Sequence, residues 1–164
     1  MRRKGVNINI ICIGKLKEKY WREACAEYAK RLGAFCNLTV VELREARLPK
    51  HASEAEARVV TDKEGEEIIG NIGERDYVIA LDIEGKALGS AALSNHLGRL
   101  ACRGSSTVDF IIGGSLGLSD QVKRRADLRL SFSAMTFPHQ MMRVILLEQI
   151  YRSFMISAGA AYHK

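Results

Sequence analysis

The run Thr136-Phe137-Pro138-His139-Gln140-Met141-Met142-Arg143 decides how this chain is read, together with two shorter stretches before it, Ile111-Ile112-Gly113-Gly114-Ser115-Leu116-Gly117 and Leu130-Ser131-Phe132-Ser133. Each shorter stretch is an apolar segment that gives way to small or polar residues, as a strand does where it enters a loop. The run itself opens an apolar helix, and Pro138 suits the first turn, where a missing N–H costs nothing. In α/β proteins, loops leaving the carboxyl ends of parallel strands are where ligands sit. Two such loops feeding one helix point to a small-molecule pocket.

Working outward, strands alternate with helices along the chain. Residues 6–13 alternate as a strand, and Gly14 ends it. Residues 16–32 carry Leu16, Tyr20, Trp21, Ala24, Cys25, Tyr28 and Leu32 at helical spacing, with Gly33 as a stop signal. That spacing reads as core packing; a base-stacking platform of Tyr20, Trp21 and Tyr28 is the alternative. A strand over 38–43 and an irregular loop over 44–52 follow. Ser53 and Glu56 have capping-box spacing for a charged helix reaching about Ile69. The apolar run from Tyr77, in a strand over 77–83, suits burial on both faces. Ser90 can cap a helix through Ala101, residues 108–112 form a fourth strand, Ser119 caps a short helix to about Ala126, and 128–132 form a fifth strand. The last helix spans 138–154. The alternation predicts an α/β fold: one domain over 1–164, a mostly parallel sheet with helices on both faces, and a short basic extension over 1–5.

That last helix is apolar around most of its circumference, through Met141, Met142, Val144, Ile145, Leu146, Leu147, Ile150, Tyr151 and Phe154. One sheet covers one stripe. A second cover is needed, and a second copy of the chain supplies it, so the sequence predicts a homodimer through this helix.

Composition narrows the class. With 164 residues, 47% of them hydrophobic, the chain can bury a core. The apolar runs are far too short to span a bilayer. Arg2-Arg3-Lys4 before an apolar stretch imitates a signal peptide, but Asn7 and Asn9 interrupt it and lysines follow, so the protein is read as cytoplasmic and not membrane-bound. Cys12, Cys25, Cys36 and Cys102 lack metal-ligand or redox spacing and read as reduced structural thiols; no metal is expected. The net charge of +6 is uneven. Residues 1–31 hold nine Lys/Arg against three Glu, 44–76 hold six against nine acids, and 119–164 hold seven against three. Two basic ends around an acidic middle fit a surface facing a polyanion, or simply solvated helix faces.

The glycine stretch 113–117 is neither a P-loop, lacking Gly-Lys-Ser/Thr, nor a dinucleotide fingerprint. It is a ligand loop or a plain tight turn. Ser133 lacks the surroundings of a nucleophile elbow.

Gly14-Lys15-Leu16-Lys17-Glu18-Lys19-Tyr20-Trp21, Asp62-Lys63-Glu64-Gly65, Leu81-Asp82-Ile83-Glu84-Gly85-Lys86, Ile112-Gly113-Gly114, the stretch 130–143 and the terminal Tyr162-His163-Lys164 together resemble the ribosomal RNA large subunit methyltransferase H family, of the SPOUT class of trefoil-knotted methyltransferases. The resemblance covers nearly the whole chain from Val6. It implies a C-terminal trefoil knot, S-adenosylmethionine as methyl donor, and N3 of a pseudouridine in 23S rRNA as acceptor. It also implies an active site completed by a second subunit. Cofactor contacts would fall at Leu81, Gly113, Phe132, Ser133, Ala134, Met135, Thr136 and Phe137.

For the chemistry, Arg143 is the candidate for orienting RNA, or it pairs with a carboxylate. His139 is a base, a donor or a structural hydrogen-bonding residue, and His163 is its rival. Tyr162, His163 and Lys164 offer a stacking ring, an imidazole and a cation to RNA. A chain this short, with mostly phosphate-type contacts, is expected to act on the assembled ribosome. A SPOUT-type enzyme with another RNA target, and a non-catalytic ribosome-associated binding module, are the competing readings.

Overall fold

The computed structural model describes residues 5–162, so the basic segment 1–4 and the tail residues His163 and Lys164 lie outside the described residues. Ten elements follow in chain order: β1 (Asn7–Ile13), α1 (Lys19–Leu32), β2 (Asn37–Leu43), α2 (Glu54–Gly70), β3 (Tyr77–Ala87), α3 (Ser90–Cys102), β4 (Thr107–Ile112), α4 (Asp120–Arg125), β5 (Leu128–Ser131) and α5 (His139–Ser157). The five strands form one parallel sheet in the order β2-β1-β4-β3-β5. Because every pairing is parallel, all carboxyl ends share one edge.

Period-two alternation divides the core. Ile8, Ile10 and Cys12 of β1 and Val108, Phe110 and Ile112 of β4 face one side, where they meet Leu32, Leu93, Leu146 and Ile150 from α1, α3 and α5. Ile11, Ile13 and Ile111 face the other, against Ile68 of α2 and Val122 of α4. Helices therefore cover both faces, as the alternation predicts. Buried thiols Cys12 and Cys36 are each pushed up to about 11 by desolvation, and all four cysteines are free.

Local chemistry explains the boundaries. Ser53 and Glu56 form the reciprocal capping box, and Ser119 Oγ accepts from Val122 N at 3.3 Å. Ser90 does not cap: Gly89 takes that position, and Ser90 Oγ donates to Gln149 Oε1 at 2.6 Å. Pro138 is the N-cap of α5 rather than part of its first turn. The first helix starts at Lys19, not Leu16, because the preceding amides bond elsewhere. Leu16 N donates to Glu42 Oε2 at 3.2 Å and Lys17 N to Gln140 Oε1 at 2.8 Å.

Two expectations about packing are corrected. Tyr20 belongs to no core stripe; it is 59% exposed, edge-to-face with Trp21. The all-round apolar character of α5 is largely answered within the chain, since α1 and α3 flank it while the sheet lies beneath. Ile150 is fully buried in that packing.

Strand β3 is longer than predicted. It pairs with β5 up to Leu81↔Leu130, bulges out over residues 82–85, and pairs again at Lys86↔Leu130 and Ala87↔Ser131. Gly85 is required there, because a Cβ would stand 2.6 Å from the Arg129 backbone.

Candidate active site

Strands β4 and β5 end, and β3 bulges, around a cavity of about 550 Å³ at the shared carboxyl edge. Leu81 and Asp82 reach it from β3, Ile112 and Gly113 from β4, and Leu130 and Phe132 from β5. His139 and Met142, from the start of α5, complete the rim. Its volume is in the range of small-molecule sites. A second cavity, of about 560 Å³, opens near the amino ends of β1 and β4 between α3 and α5. It contains none of the strand-end loops.

Of the predicted cofactor residues, Leu81, Gly113, Phe132, Ser133, Met135, Thr136 and Phe137 line the 550 Å³ cavity. Ala134 does not; it faces solvent in the turn. The turn is held by its own serines: Ser131 Oγ donates to the Ser133 carbonyl at 3.2 Å, and Met135 N donates to Ser133 Oγ at 3.0 Å. These bonds occupy Ser133 structurally. Met135 is 71% exposed above the opening.

The glycine stretch is a built wall. Gly117 adopts φ +80°, and its N–H donates to the Gly114 carbonyl at 3.1 Å, closing the turn. A Cβ on Gly113 would stand 2.6 Å from the Gly117 carbonyl oxygen. Behind the wall lies Glu64 of α2, almost fully buried, with Oε2 3.0 Å from where a Cβ on Gly114 would be. Its Oε1 accepts from Ala46 N at 3.0 Å. Burial, and to a smaller extent the carboxylates of Glu45 and Glu67, push the Glu64 carboxyl up, against the downward pull of the Ala46 amide.

Asp82 sits in the β3 bulge with its side chain 8% exposed. Oδ1 accepts from Glu84 N at 3.1 Å, while Oδ2 faces Arg129 Nη1 at 3.5 Å and Lys123 Nζ at 3.9 Å, beyond good hydrogen-bond length. Neither Glu64 nor Asp82 was assigned a role from sequence. Both lie in motifs that carry the family resemblance, but nothing in the linear spacing shows that α2 and the bulge back the pocket.

Arg143 departs from the RNA-orienting expectation. It is 2% exposed, with Nη1 donating to Glu42 Oε2 at 2.7 Å and Nη2 to the Gly14 carbonyl at 3.0 Å. The carboxylate-paired alternative is what the chain contains: Arg143 locks the start of α5 to the ends of β1 and β2. His139 lies beside Gly14, its Nε2 3.4 Å from the position a Cβ would take there, and lines the cavity. Tyr162 packs back on α5, edge-to-face with Tyr151 at 5.1 Å, with Arg152 over its ring at 4.8 Å. It is thus about 18 Å along the helix from His139, at 1.5 Å per residue between positions 139 and 151. Within the chain, Tyr162 and His139 do not meet.

Among the described residues, no group of three or more His, Cys, Asp or Glu could hold a metal ion, and no helix is long and apolar enough to cross a membrane.

Residues 6–163 match the family model described as Predicted SPOUT methyltransferase. The Ribosomal RNA large subunit methyltransferase H of Clostridium novyi (strain NT) is 53% identical over 159 residues, covering 97% of this chain and 100% of that protein. Its counterpart from Clostridioides difficile (strain 630) is 54% identical with the same coverage. Among solved structures, a methylase family protein from Neisseria gonorrhoeae shares the fold, with a TM-score of 0.53 at 16% identity over 89% of this chain and 82% of that one.

Proposed function

The chain belongs to the SPOUT methyltransferase family, and on that premise we propose that it methylates large-subunit ribosomal RNA, at N3 of a pseudouridine, using S-adenosylmethionine. The observation that carries this reading is the cavity at the ends of β3, β4 and β5, walled by the residues expected to hold the cofactor. The relatives' shared name, at half identity over their full length, supports rRNA as the substrate class.

The cavity fits such a group chemically. Leu81, Ile112 and Leu130 offer an apolar floor, while the 113–117 and 132–137 turns offer backbone N–H and C=O groups. When bound, S-adenosylmethionine supplies an electrophilic methyl on a sulfonium. This chain's work is then alignment: an in-line displacement depends on holding donor and acceptor in register. Gly113 and the Ser133-braced turn fix the donor side. His139, on the rim, is positioned to meet the acceptor, where an imidazole can take the N3 proton or donate to a base carbonyl. His163 is its rival for that role.

The assembly is part of the proposal. A homodimer through α5 is supported by partly exposed apolar side chains, including Met141, Val144 and Ile145. Because Tyr162 does not reach its own chain's pocket, the tail is assigned to the partner's pocket. A trefoil knot belongs to the same reading; residues 132–138 lead from the edge strand β5 to His139, which lies beside Gly14 at the end of β1, and, Ala134 apart, they share the cavity lining with Asp82 and Gly113. A cytoplasmic location and the assembled ribosome as substrate complete the reading.

The test is direct. The purified protein, S-adenosylmethionine and 70S ribosomes from cells lacking the gene should yield N3-methylated pseudouridine in digested 23S rRNA by mass spectrometry. A methyl group at another position would move the target, and calorimetry showing no binding of S-adenosylmethionine or its demethylated product would end the reading.

A further inference from the structure

We propose that the loops over residues 14–18 and 44–52 form one basic track along which the RNA backbone reaches the pocket, an inference that rests on the RNA-methyltransferase reading and deepens it. Strands β1 and β2 are neighbours with Ile13 opposite Leu43, so the two loops leave the sheet side by side. Gly14 N donates to the Leu43 carbonyl at 2.8 Å where they diverge. Together the loops present Lys15, Lys17, Arg44, Arg47 and Lys50 to solvent, against the carboxylates of Glu18 and Glu45. None of these five cations forms an ion pair among the described residues, whereas Arg125, Arg129, Arg143 and Arg152 are all paired with carboxylates of the chain.

The sequence hid this cluster. Arg44, Arg47 and Lys50 belong to a stretch that is acidic on balance, but its acids lie mainly on α2, beyond the loop. The fold joins the three cations to Lys15 and Lys17 from the basic amino-terminal third.

Each loop is also fastened to the pocket. Lys17 N bonds Gln140, the residue after His139 on the pocket rim. Ala46 N bonds Glu64, whose other oxygen backs the glycine wall. Arg22 Nη1 donates to the Leu16 and Lys17 carbonyls at 3.2 and 2.7 Å, stiffening the first loop. The cations are therefore held in a fixed relation to the reacting site, which is what contacts that set register on a nucleic acid require. Tyr20, exposed at the start of α1, adds a ring on which a base can stack. Cations together with an exposed aromatic ring match a phosphate backbone with an unstacked base.

The experiment uses the full-length protein with Lys15→Ala/Lys17→Ala and Arg44→Ala/Arg47→Ala/Lys50→Ala, all at exposed positions, read by ribosome binding and methylation across a salt series. The triple variant should raise KM for ribosomes at least tenfold and reduce the slope of log K against log salt by about 2–3, at roughly 0.7–0.9 per lost phosphate contact. Affinity for S-adenosylmethionine and Tm should stay at wild-type values. Unchanged KM and salt slope in both variants would overturn the track. Weaker binding with an unchanged slope would also overturn it, in favour of a protein contact on the ribosome. A wild-type protein that methylates no ribosome would instead refute the underlying reading, so the two failures are distinguishable.

Discussion

Gly113→Ala tests the pocket through its own backbone. The added methyl does not point at a ligand; it points at the turn. It would stand 2.6 Å from the Gly117 carbonyl oxygen and 2.9 Å from both the Gly117 carbonyl carbon and Leu118 Cδ2, where ordinary contact starts at 3.4 Å. The turn must retreat by roughly 0.8 Å, and overpacking of this kind costs about 1–3 kcal/mol. Residues 113–117 are the proposed cofactor wall: the free protein relieves the clash by letting the turn retreat, and the ligand must push it back, so most of that cost should fall on the bound state. At 1.4 kcal/mol per tenfold, Kd for S-adenosylmethionine should rise roughly 10- to 100-fold while Tm drops only a few degrees. Isothermal calorimetry and thermal unfolding measure the two separately. Gly98→Ala is the control: it lies in α3 with nothing within 4 Å of the new Cβ, and should bind normally. A Gly113→Ala protein with Kd within twofold of wild type would refute the reasoning, since the wall would then move without consequence for the ligand.

Other expectations follow from buried charge and from the tail. Glu42→Ala should destabilise by about 3 kcal/mol, the low end for breaking a buried pair because the Glu42 side chain is 36% exposed, and Arg143→Met should cost less because it leaves no buried charge unpaired; chemical denaturation ranks them. Asp109, fully buried in β4, has its carboxyl pushed from 3.8 up to about 6, mainly by burial, with the Asp76 carboxylate adding and the Asn9 hydrogen bond opposing. The folded state thus holds this proton more tightly, so stability falls as pH rises from about 4 to 6 and stays lower above. Asp109→Asn should remove that fall, gaining up to about 3 kcal/mol at pH 8 and nothing near pH 3.5, as read from Tm against pH. Deleting residues 162–164 should abolish methylation while dimer mass and S-adenosylmethionine affinity persist; near wild-type turnover would remove the tail from the active site.

Period and punctuation made the sheet legible. Alternation in β1 and the apolar run in β3 are local signals, as are the caps at Ser53 and Ser119. The strand-end loops were legible for the same reason, since glycine and proline mark where backbone must turn. What stayed hidden depends on neighbours distant in sequence. How α5 divides its apolar circumference was hidden because α1 and α3, which flank it, cannot be inferred from the helix itself; Ile150 went inside with them, while Met141, Val144 and Ile145 stayed partly exposed. Arg143 looked like an RNA contact because its partners, Glu42 and the Gly14 carbonyl, lie 101 and 129 positions away. The return of β3 to pairing after its bulge escaped notice because residues 82–85 interrupt the strand pattern.

Those long separations have a bearing on how the site comes into being during synthesis. The bond from Arg143 to Gly14 spans 129 positions and that from Lys17 to Gln140 spans 123. Contacts so far apart pay the whole loop-closure entropy before they stabilise anything, and such topologies fold slowly. The amino-terminal strands can pair as they emerge, but the rim of the pocket needs His139 and its latch. A ribosome making this protein therefore carries a chain without the complete pocket until residues beyond 143 have been made. Until then, the nascent chain has strands and helices but no closed pocket rim.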